Sequence, residues 1–324
     1  MWFISPKKLN DLGILGMNKR NVSYISRYNQ RSLYPLVDNK LKTKAILEQA
    51  GIMTPKLIGA IESQYDVSKL ESLLHGQSGF AIKPAKGSGG KGIVVLSRNS
   101  DGQLIKPSGA VLSLADLQRH VSNILSGLFS LGGGTDIALI EELIEFDQNL
   151  GGYSYEGVPD IRVIVCRGYP VMAMIRLSTS ASDGKANLHQ GAVGVGLDIA
   201  TGRPLNAIQF GEQVARHPDT GKNLSELEIP DWDVLLTLAA RCYEVSGLGY
   251  LGTDIVLDKR HGPMLLELNA RPGLAIQVAN GTGLLPRLRK IDALSNEETR
   301  LPAAERVARA RQWFAAKQSE LFSY

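Results

Sequence analysis

A run of glycine and lysine residues at positions 83–92 is the first part of the sequence with the composition of a binding site. It reads Lys-Pro-Ala-Lys-Gly-Ser-Gly-Gly-Lys-Gly. Glycine frees the backbone to point successive N–H groups at one anion, and lysine supplies charge for phosphate oxygens. A Walker loop would continue with Ser or Thr and a helix, whereas Gly92 and Ile93 stand here. The run therefore predicts a flap over phosphates between two strands, and the simpler alternative is a bare hairpin turn.

A second candidate is the segment 252–269, which is predicted to form a β-hairpin with oxygen-bearing side chains on both strands. With a four-residue loop, Asp258 faces Pro263, and four positions back Asp254 faces Glu267. A loop longer or shorter by one residue would break this alignment, because strand side chains alternate in direction.

The same alternation places Asn269 on the face of Glu267. Two carboxylates that face each other repel unless a cation lies between them, and carboxylate and amide oxygens suit Mg²⁺ that holds nucleotide phosphates. The residues therefore predict a metal site made by Asp254, Glu267 and Asn269. The alternative is a solvent-exposed acidic face, which explains Glu267 but not Asn269.

The elements that would position these residues are mostly short strands with few helices between them, which indicates an α+β fold rather than a doubly wound parallel sheet. Residues 1–38 are predicted to be irregular, and about the last 30 residues to form one amphipathic helix. Helical spacing predicts helices at 39–50, 67–74, 113–125 and 232–246. Apolar runs predict strands at 55–61, 80–84, 92–96, 137–143, 161–166, 169–177, 193–198, 252–258 and 263–269.

The composition is that of a soluble globular protein. Of 324 residues, 44% are hydrophobic and 21% charged. No apolar run reaches the roughly 18–20 residues of a membrane helix, and proline and lysine interrupt any secretory pattern in residues 1–10. Cys166 and Cys242 have no partner motif for zinc and are predicted to be reduced, buried thiols. We expect a cytoplasmic protein.

Positive charge is concentrated near the N-terminus. Residues 1–44 carry nine basic and two acidic side chains, a net charge of +7, whereas the whole chain carries +4. Such a patch could attract an acidic substrate, nucleic acid or an anionic membrane, or it could be a solvated arm packed on the protein. We do not predict a specific nucleic-acid site. One hypothesis assigns the steering of an acidic acceptor to Lys7, Lys8, Lys19 and Arg20.

The flap and the hairpin, separated by roughly 160 residues, together resemble the ATP-grasp superfamily, and more narrowly RimK-type α-L-glutamate ligases and their relatives, including a sugar-transfer-associated group. The resemblance covers residues 39–283. The matching segments are Asp38-Asn39-Lys40-Leu41, Phe80-Ala81-Ile82-Lys83-Pro84, Glu141-Glu142-Leu143-Ile144, Asp160-Ile161-Arg162, Asn187-Leu188-His189-Gln190-Gly191 and Glu267-Leu268-Asn269-Ala270-Arg271-Pro272-Gly273.

The resemblance implies an ATP-grasp fold, in which two α/β subdomains with antiparallel sheets clasp ATP between them. The expected division is a short basic N-terminal arm at 1–39, a small subdomain with a glycine-rich lid at 40–145, a large subdomain with the metal site at 146–290, and a C-terminal helix at 291–324.

The resemblance also implies a role for each matching residue. The nucleotide would be bound by Lys40, Lys83, Gly89, Gly90, Lys91, Glu141, Glu142, Leu143, Ile144 and Asp160, with residues 141–144 over adenine. Two Mg²⁺ ions, or Mn²⁺, would be held by Asp254, Glu267 and Asn269. Arg176 and Asn187 would lie near the transferred phosphoryl group, and Arg271 near the substrate carboxylate or acyl phosphate. Arg162, on the strand face of Asp160, is either its pocket partner or part of a sheet salt bridge.

The implied activity is that of an ADP-forming ligase, which joins a carboxylate to an amine through an acyl phosphate, with a glutamate-like amino acid as the ligated group. The acceptor would be a small molecule, a peptide or a protein tail, and a homo-oligomer is left open. Two alternatives remain: a nucleotide-binding module without turnover, and an ATP-grasp enzyme that acts on a glycan or envelope precursor. The complete set of predicted metal ligands argues against the first, since binding alone does not need it.

Overall fold

Two antiparallel β-sheets, one of six strands and one of seven, form the framework of the protein in a computed structural model. The structure describes residues 5–87, 89–130, 133–146 and 148–317. All strand pairs within the two sheets are antiparallel. The helices lie between and around these sheets, so the predicted α+β class is confirmed.

The six-stranded sheet is built from the first half of the chain. Its strands are β1 (Leu57–Ile61), β2 (Gly79–Pro84), β3 (Val94–Arg98), β4 (Leu104–Ile105), β5 (Val111–Leu112) and β6 (Ala138–Glu142). Their spatial order is β1-β6-β2-β3-β4-β5. Because β2 and β3 are neighbours, the glycine and lysine run does join two paired strands, as predicted.

The seven-stranded sheet follows in the chain. Its strands are β7 (Asp160–Cys166), β8 (Tyr169–Leu177), β9 (Val193–Leu197), β10 (Pro204–Gln209), β11 (Glu212–Gln213), β12 (Tyr250–Asp258) and β13 (Gly262–Asn269). Their spatial order is β11-β10-β9-β8-β7-β12-β13. Strand β8 has the predicted bounds, whereas β10 and β11 were not predicted.

The helices are mostly short. The α-helices are α1 (Pro6–Asp11), α2 (Met17–Lys19), α3 (Ser26–Tyr28), α4 (Pro35–Asp38), α5 (Lys40–Gln49), α6 (Leu70–Leu74), α7 (Leu114–Leu125), α8 (Gln148–Gly151), α9 (Trp232–Ser246), α10 (Ile276–Ala279), α11 (Leu285–Asp292) and α12 (Ala303–Phe314). A π-helix spans Arg20–Ile25, and 3₁₀ turns span Arg31–Leu33, Gln64–Lys69, Ser180–Ser182, Leu188–Gln190, Leu224–Glu226 and Glu298–Arg300. Helix α9 has the predicted bounds, and no described helix is long and apolar enough to cross a bilayer.

Helix α7 illustrates how local sequence sets an element. The Ser113 side chain accepts a hydrogen bond from the backbone N–H of Asp116, and the Asp116 carboxylate accepts one from the backbone N–H of Ser113. This capping box satisfies two backbone donors that a helix start otherwise leaves free. Leu117, Val121 and Ile124 recur at helical spacing and are fully buried against the six-stranded sheet. The predicted helix start at Ser113 is therefore confirmed.

The prediction of an irregular segment at residues 1–38 is wrong. From Pro6 onward this segment consists of short helices, and Leu15, Tyr24 and Ile25 are buried in the core of the seven-stranded sheet. The side-chain amide of Asn29 also donates to the carbonyl oxygen of Tyr250 at 2.7 Å. Several of these helices are shorter than two turns, and the continuous helical run at residues 17–28 has a π-helix at its centre, Arg20–Ile25. A π-helix departs from the 3.6-residue period, so the run leaves no regular helical periodicity in the sequence.

The prediction of one long C-terminal helix is also wrong. Helix α12 has 12 residues, and Pro302 precedes it. The residue before a proline is pushed out of the helical conformation, so the chain at Leu301 is extended, with ψ at 152°. Helix α12 is nevertheless amphipathic, since Val307 and Ala310 are buried and Trp313 packs against the same core.

The hairpin of β12 and β13 places Asp254 opposite Glu267, as predicted, but by another route. The predicted four-residue loop is wrong, because Asp258 pairs with Gly262 and three residues make the turn. A β-bulge at Leu266 adds one residue to β13 and restores the register. The turn is one residue shorter than predicted and the bulge makes the strand one residue longer, so the pairing of Asp254 with Glu267 is unchanged.

Two apolar cores accompany the two sheets. The larger core lies at the seven-stranded sheet and includes Leu47 and Ile52, from the region expected to belong to the small subdomain. The smaller core lies between the six-stranded sheet and helices α6 and α7. Cys166 and Cys242 are buried free thiols in the larger core. The predicted domain boundaries remain a prediction.

Candidate nucleotide and metal site

A buried lysine cluster lies where β2 and β6 pair. The carboxylate of Glu141 on β6 forms ion pairs with Lys83 of β2 and with Lys44 of helix α5, the latter at 3.1 Å. All three side chains are buried. Burial lowers the pKa of Lys44, since Glu141 only partly offsets the loss of water. One carboxylate between two ammonium groups leaves excess positive charge, which suits phosphate.

Lys44 was not predicted as a site residue. Its signal in the sequence was its position one helical turn after Lys40, which puts both lysines on the same side of α5. The start of this helix is fixed by Asn39, whose side chain accepts hydrogen bonds from the backbone N–H groups of Leu41 and Lys42 at 3.0 and 3.3 Å.

Lys40 connects the two segments that the sequence singled out. Its ammonium group donates to the carbonyl oxygen of Gly87 in the loop between β2 and β3 at 2.8 Å, and lies 3.3 Å from the carboxylate of Glu267 on β13. Its backbone N–H donates to the carbonyl oxygen of Ala85 at 2.9 Å. The loop and the hairpin therefore meet at one lysine at the start of α5.

The loop is anchored at both ends. The backbone N–H of Lys86 donates to the buried carboxylate of Asp136 at 3.0 Å, and the carbonyl oxygen of Gly92 accepts from Nε2 of His120 at 2.9 Å. A Cβ at Gly92 would lie 2.5 Å from the ring of Phe129, so glycine is required there. Burial lowers the pKa of His120, which favours the neutral ring.

The predicted binding residues Gly89, Gly90 and Lys91 lie between these anchors. Both glycines have positive φ, at 63° and 75°, with open space where a Cβ would be. Lys91 is exposed. The described outer part of the loop therefore consists of backbone with open space beside both glycines and one exposed cation, a composition that suits an anion.

The predicted adenine-binding residues lie at the end of β6. The Glu141 side chain points to the lysine cluster, whereas Glu142 is part-exposed and pairs with Lys56 at 2.9 Å. Leu143 and Ile144 follow the strand and are half-buried. They lead to residue 145, whose backbone N–H donates to the Asp258 carboxylate at 3.0 Å. This segment therefore connects the two sheets.

Four charged side chains on neighbouring strands form what we call the arginine–aspartate quartet: Asp160, Arg162, Arg176 and Asp254. Arg176 donates to both oxygens of Asp160 at 2.5 and 2.6 Å and lies 3.0 Å from Asp254. Arg162 donates to both oxygens of Asp254 at 2.7 and 2.5 Å. Strand register causes this pairing, since Asp160 faces Arg176 and Arg162 faces Asp254.

The two carboxyl groups of the quartet have opposite pKa shifts. Burial raises the pKa of Asp160 to about 6, although Arg176 opposes the shift. Burial also acts on Asp254, but two arginines outweigh it and hold the pKa of Asp254 at about 2. Of the two predicted roles of Arg162, the structure shows the sheet salt bridge, which is bidentate to Asp254, and not a pairing with Asp160.

The predicted metal ligands fit a cation only in part. Glu267 is part-exposed and has Lys40 as its partner, and the Asn269 oxygen accepts from the backbone N–H of Arg271 at 2.8 Å. Both side chains carry oxygens on β13, and Glu267 is the one beside Lys40. Asp254 lies opposite Glu267 in register, but both its oxygens are taken by arginines. Among the described residues, no group of three His, Cys, Asp or Glu is placed to hold a metal ion.

The remaining predicted catalytic residues occupy different places. Arg176 is buried in the quartet. Asn187 begins a 3₁₀ turn and accepts from the backbone N–H of His189 at 3.0 Å. The turn packs on Gly194, which pairs with Arg176 across the sheet. Arg271 is exposed and stacks over the ring of Tyr34 at 5.1 Å.

Comparison with known proteins gives a family match over most of the chain. The family model described as sugar-transfer associated ATP-grasp matches residues 19–293. Two curated relatives are each named probable alpha-L-glutamate ligase. The protein of Maridesulfovibrio salexigens is 25% identical over 236 residues, 73% of this chain and 56% of the relative. The protein of Ectopseudomonas mendocina is 24% identical over 258 residues, 77% of this chain and 64% of the relative.

The chain therefore spans less than two thirds of the length of these relatives. Among solved structures, D-alanyl-alanine synthetase A from Vibrio cholerae is similar over 87% of this chain and 66% of the synthetase chain. The sequence identity is 11% and the TM-score is 0.48. The predictions of an ATP-grasp fold, of ATP and of Mg²⁺ agree with the family match. The chain belongs to the sugar-transfer associated ATP-grasp family.

Proposed function

We propose that the protein is an ATP-dependent ligase that joins a carboxylate to an amine through an acyl phosphate, with Mg²⁺ as its metal. The observation that carries this proposal is the position of Lys40 between the glycine loop and Glu267. An ammonium group there can contact phosphate oxygens that reach from the loop to the hairpin. The glycine loop and the hairpin, which are far apart in the sequence, thereby meet at one place that suits a nucleoside triphosphate.

The nucleotide phosphates would be held from the six-stranded sheet and helix α5. The ammonium group of Lys83 has Glu141 as its partner, so a phosphate oxygen can take the donors that Glu141 leaves free. Lys44 contributes charge instead, because its three donors are taken by Thr54, Pro55 and Glu141. Backbone N–H groups at Gly89 and Gly90 would cover the phosphates from the loop. The strand end at residues 142–144 would border the base.

The metal would be held by Glu267 and Asn269, whose oxygens suit Mg²⁺. Bound there, Mg²⁺ would neutralise phosphate charge. For Asp254 to become a ligand of Mg²⁺, Arg162 or Arg176 must release one carboxylate oxygen of Asp254. Guanidinium binds phosphate as well as it binds carboxylate. A phosphoryl group that arrives at the site could therefore draw one of these arginines away from Asp254.

The reaction consists of two balanced steps. A carboxylate oxygen of the substrate attacks the γ-phosphorus, a new O–P bond forms, and the bond to the β-phosphate oxygen breaks to release ADP. An amine then attacks the acyl carbon, phosphate leaves with the bonding electrons, and the nitrogen loses a proton. The residues of this chain contribute mainly positioning and positive charge, which stabilise the developing charge on the phosphoryl oxygens.

The name of the curated relatives supports a glutamate-like amino acid as a substrate, and the name of the matched family supports a glycan-related acceptor as the second candidate. Fold alone does not choose between them. An ADP-release screen of amino acids, peptides and sugar acids, with mass spectrometry of the products, tests both. We expect ADP release to require a carboxylate and an amine together. Release that is independent of both would contradict the ligase.

A further inference from the structure

A cavity of about 330 Å³ lies where the N-terminal segment meets the end of β13. Its wall contains three arginines, Arg20, Arg31 and Arg271, and none of the described residues that line it is acidic. We call it the arginine cavity. All of its lining residues except Arg271 belong to the segment between Arg20 and Tyr34. The cavity therefore exists only because this segment packs on the ligase fold.

The three guanidinium groups lack carboxylate partners in the described part of the chain. Arg20 donates to the carbonyl oxygen of Pro272 at 2.8 Å and to the side-chain oxygen of Asn21 at 2.9 Å. Arg271 stacks over the Tyr34 ring. Arg31 is exposed, and no hydrogen bond or ion pair to a described residue is formed by its side chain.

Three uncompensated cations around one concave space make a strongly positive local potential, because low-dielectric walls focus the field. Guanidinium is planar and always charged, and its geometry matches two oxygens of one carboxylate or phosphate. Two of the three groups are already oriented, Arg20 by a backbone carbonyl and Arg271 by a ring. The volume lies within the range of small-molecule sites.

The cavity adjoins the predicted metal site. Arg271 contributes its guanidinium to the cavity wall, and its backbone N–H donates to the side-chain oxygen of Asn269 at 2.8 Å. Pro272, whose carbonyl oxygen holds Arg20, would lie 2.8 Å from a Cβ at Gly252, the residue paired with Asn269. An anion bound in the cavity therefore lies beside the end of the hairpin.

We propose that the arginine cavity binds an oxyanion group, a carboxylate or a phosphate, of a substrate with at least two negative charges, and that Arg20 and Arg31 make the enzyme specific for such a substrate. This inference rests on the proposed ligase function. The hypothesis of a steering arm stays a separate prediction: Lys7, Lys8 and Lys19 are exposed and do not line the cavity, whereas Arg20 does.

Isothermal titration of the full chain with L-glutamate, and separately with inorganic phosphate, tests the cavity at fixed ionic strength. We expect at least one probe to bind, and Arg31→Gln to weaken that binding about tenfold, the size of one charge-assisted hydrogen bond. Lys8→Gln is the matched control, because it removes one charge from the same segment outside the cavity, and it should change affinity less than about twofold. Arg31→Lys should fall between wild type and Arg31→Gln.

Glutamate binding would identify a carboxylate as the bound group, and phosphate binding a phosphoryl group. Binding of neither probe to the wild type, or equal losses in Arg31→Gln and Lys8→Gln, would overturn the proposal. Binding of a fluorescent ATP analogue is measured on the same samples. If wild type fails to bind the analogue but binds an anion at Arg31, the ligase proposal fails while the cavity stands.

Discussion

The arginine–aspartate quartet and the arginine cavity use the same cation in opposite ways. In the quartet, two arginines face two aspartates on paired strands, the aspartates are buried and the arginines mostly so, and the contacts are 2.5–3.0 Å. In the cavity, three arginines surround a space without a single acidic neighbour in its described wall. The strand register supplies acidic partners in the first region, whereas the arginines of the second region have no acidic partner among the described residues.

The difference indicates which charges hold the fold and which bind a ligand. A buried charge without its partner costs several kcal/mol, so the quartet is a structural unit in the present arrangement. An exposed arginine without a partner costs almost nothing and keeps its hydrogen-bonding capacity for a ligand. Asp254 belongs to the first group, although the sequence predicted it as a metal ligand.

The largest expected effect comes from the same substitution made in both regions. Arg176→Gln leaves two buried carboxylates with one arginine and should lower the free energy of unfolding by about 3–5 kcal/mol. Arg31→Gln should change it by less than about 0.5 kcal/mol. Urea denaturation followed by circular dichroism measures both. Similar stability losses in the two variants would remove the distinction between the regions.

The second effect is a pH dependence of stability that arises from Asp160 in the quartet. Burial raises the pKa of Asp160 to about 6, so this group stabilises the fold fully below its unfolded pKa of about 3.9 and loses that contribution as the pH rises through about 6. Relative to Asp160→Asn, the free energy of unfolding of the wild type should therefore fall by about 2 kcal/mol between about pH 4 and pH 6. Parallel pH profiles of the two proteins would show that Asp160 does not titrate in this range.

A smaller effect concerns the loop at residues 86–92. Its ends are anchored at Asp136 and His120, so only the outer part should respond to nucleotide. Trypsin can cut after the exposed residues Lys86 and Lys91. We expect Mg-ATP to slow cleavage after Lys91 several-fold, and to change cleavage after Lys86 less, because local order controls access of the protease. Equal rates at Lys91 with and without Mg-ATP would contradict a lid.

Much of the fold could be predicted from local patterns. The start of α7 follows from its capping box, and β8 and α9 follow from long apolar periodicity. The N-terminal helices could not be predicted, since they are short or, at residues 17–28, interrupted by a π-helix, and are held by contacts such as that between Asn29 and Tyr250. Tertiary packing determines these elements.

In the candidate site, too, contacts between distant segments could not be predicted from local sequence. Lys40 and Glu267 could be predicted as site residues because their segments resemble a known family, and the structure brings these two side chains together. The bulge at Leu266 and the capture of Asp254 by two arginines depend on register across three strands. No local pattern in the sequence records such a pairing.

The central claim is that Glu267 holds Mg²⁺ beside a nucleotide bound at Lys40. Equilibrium binding of ATP, measured with Mg²⁺ and with EDTA, tests it in wild type, in Glu267→Gln and in the control Glu212→Gln, which changes an exposed carboxylate on β11. We predict that Mg²⁺ tightens ATP binding about tenfold in wild type and in the control, and that Glu267→Gln loses this gain because an amide does not neutralise the metal. Without Mg²⁺ the variant should bind ATP at least as well as wild type, since Lys40 is released from its ion pair. An equal gain from Mg²⁺ in wild type and Glu267→Gln would contradict the account.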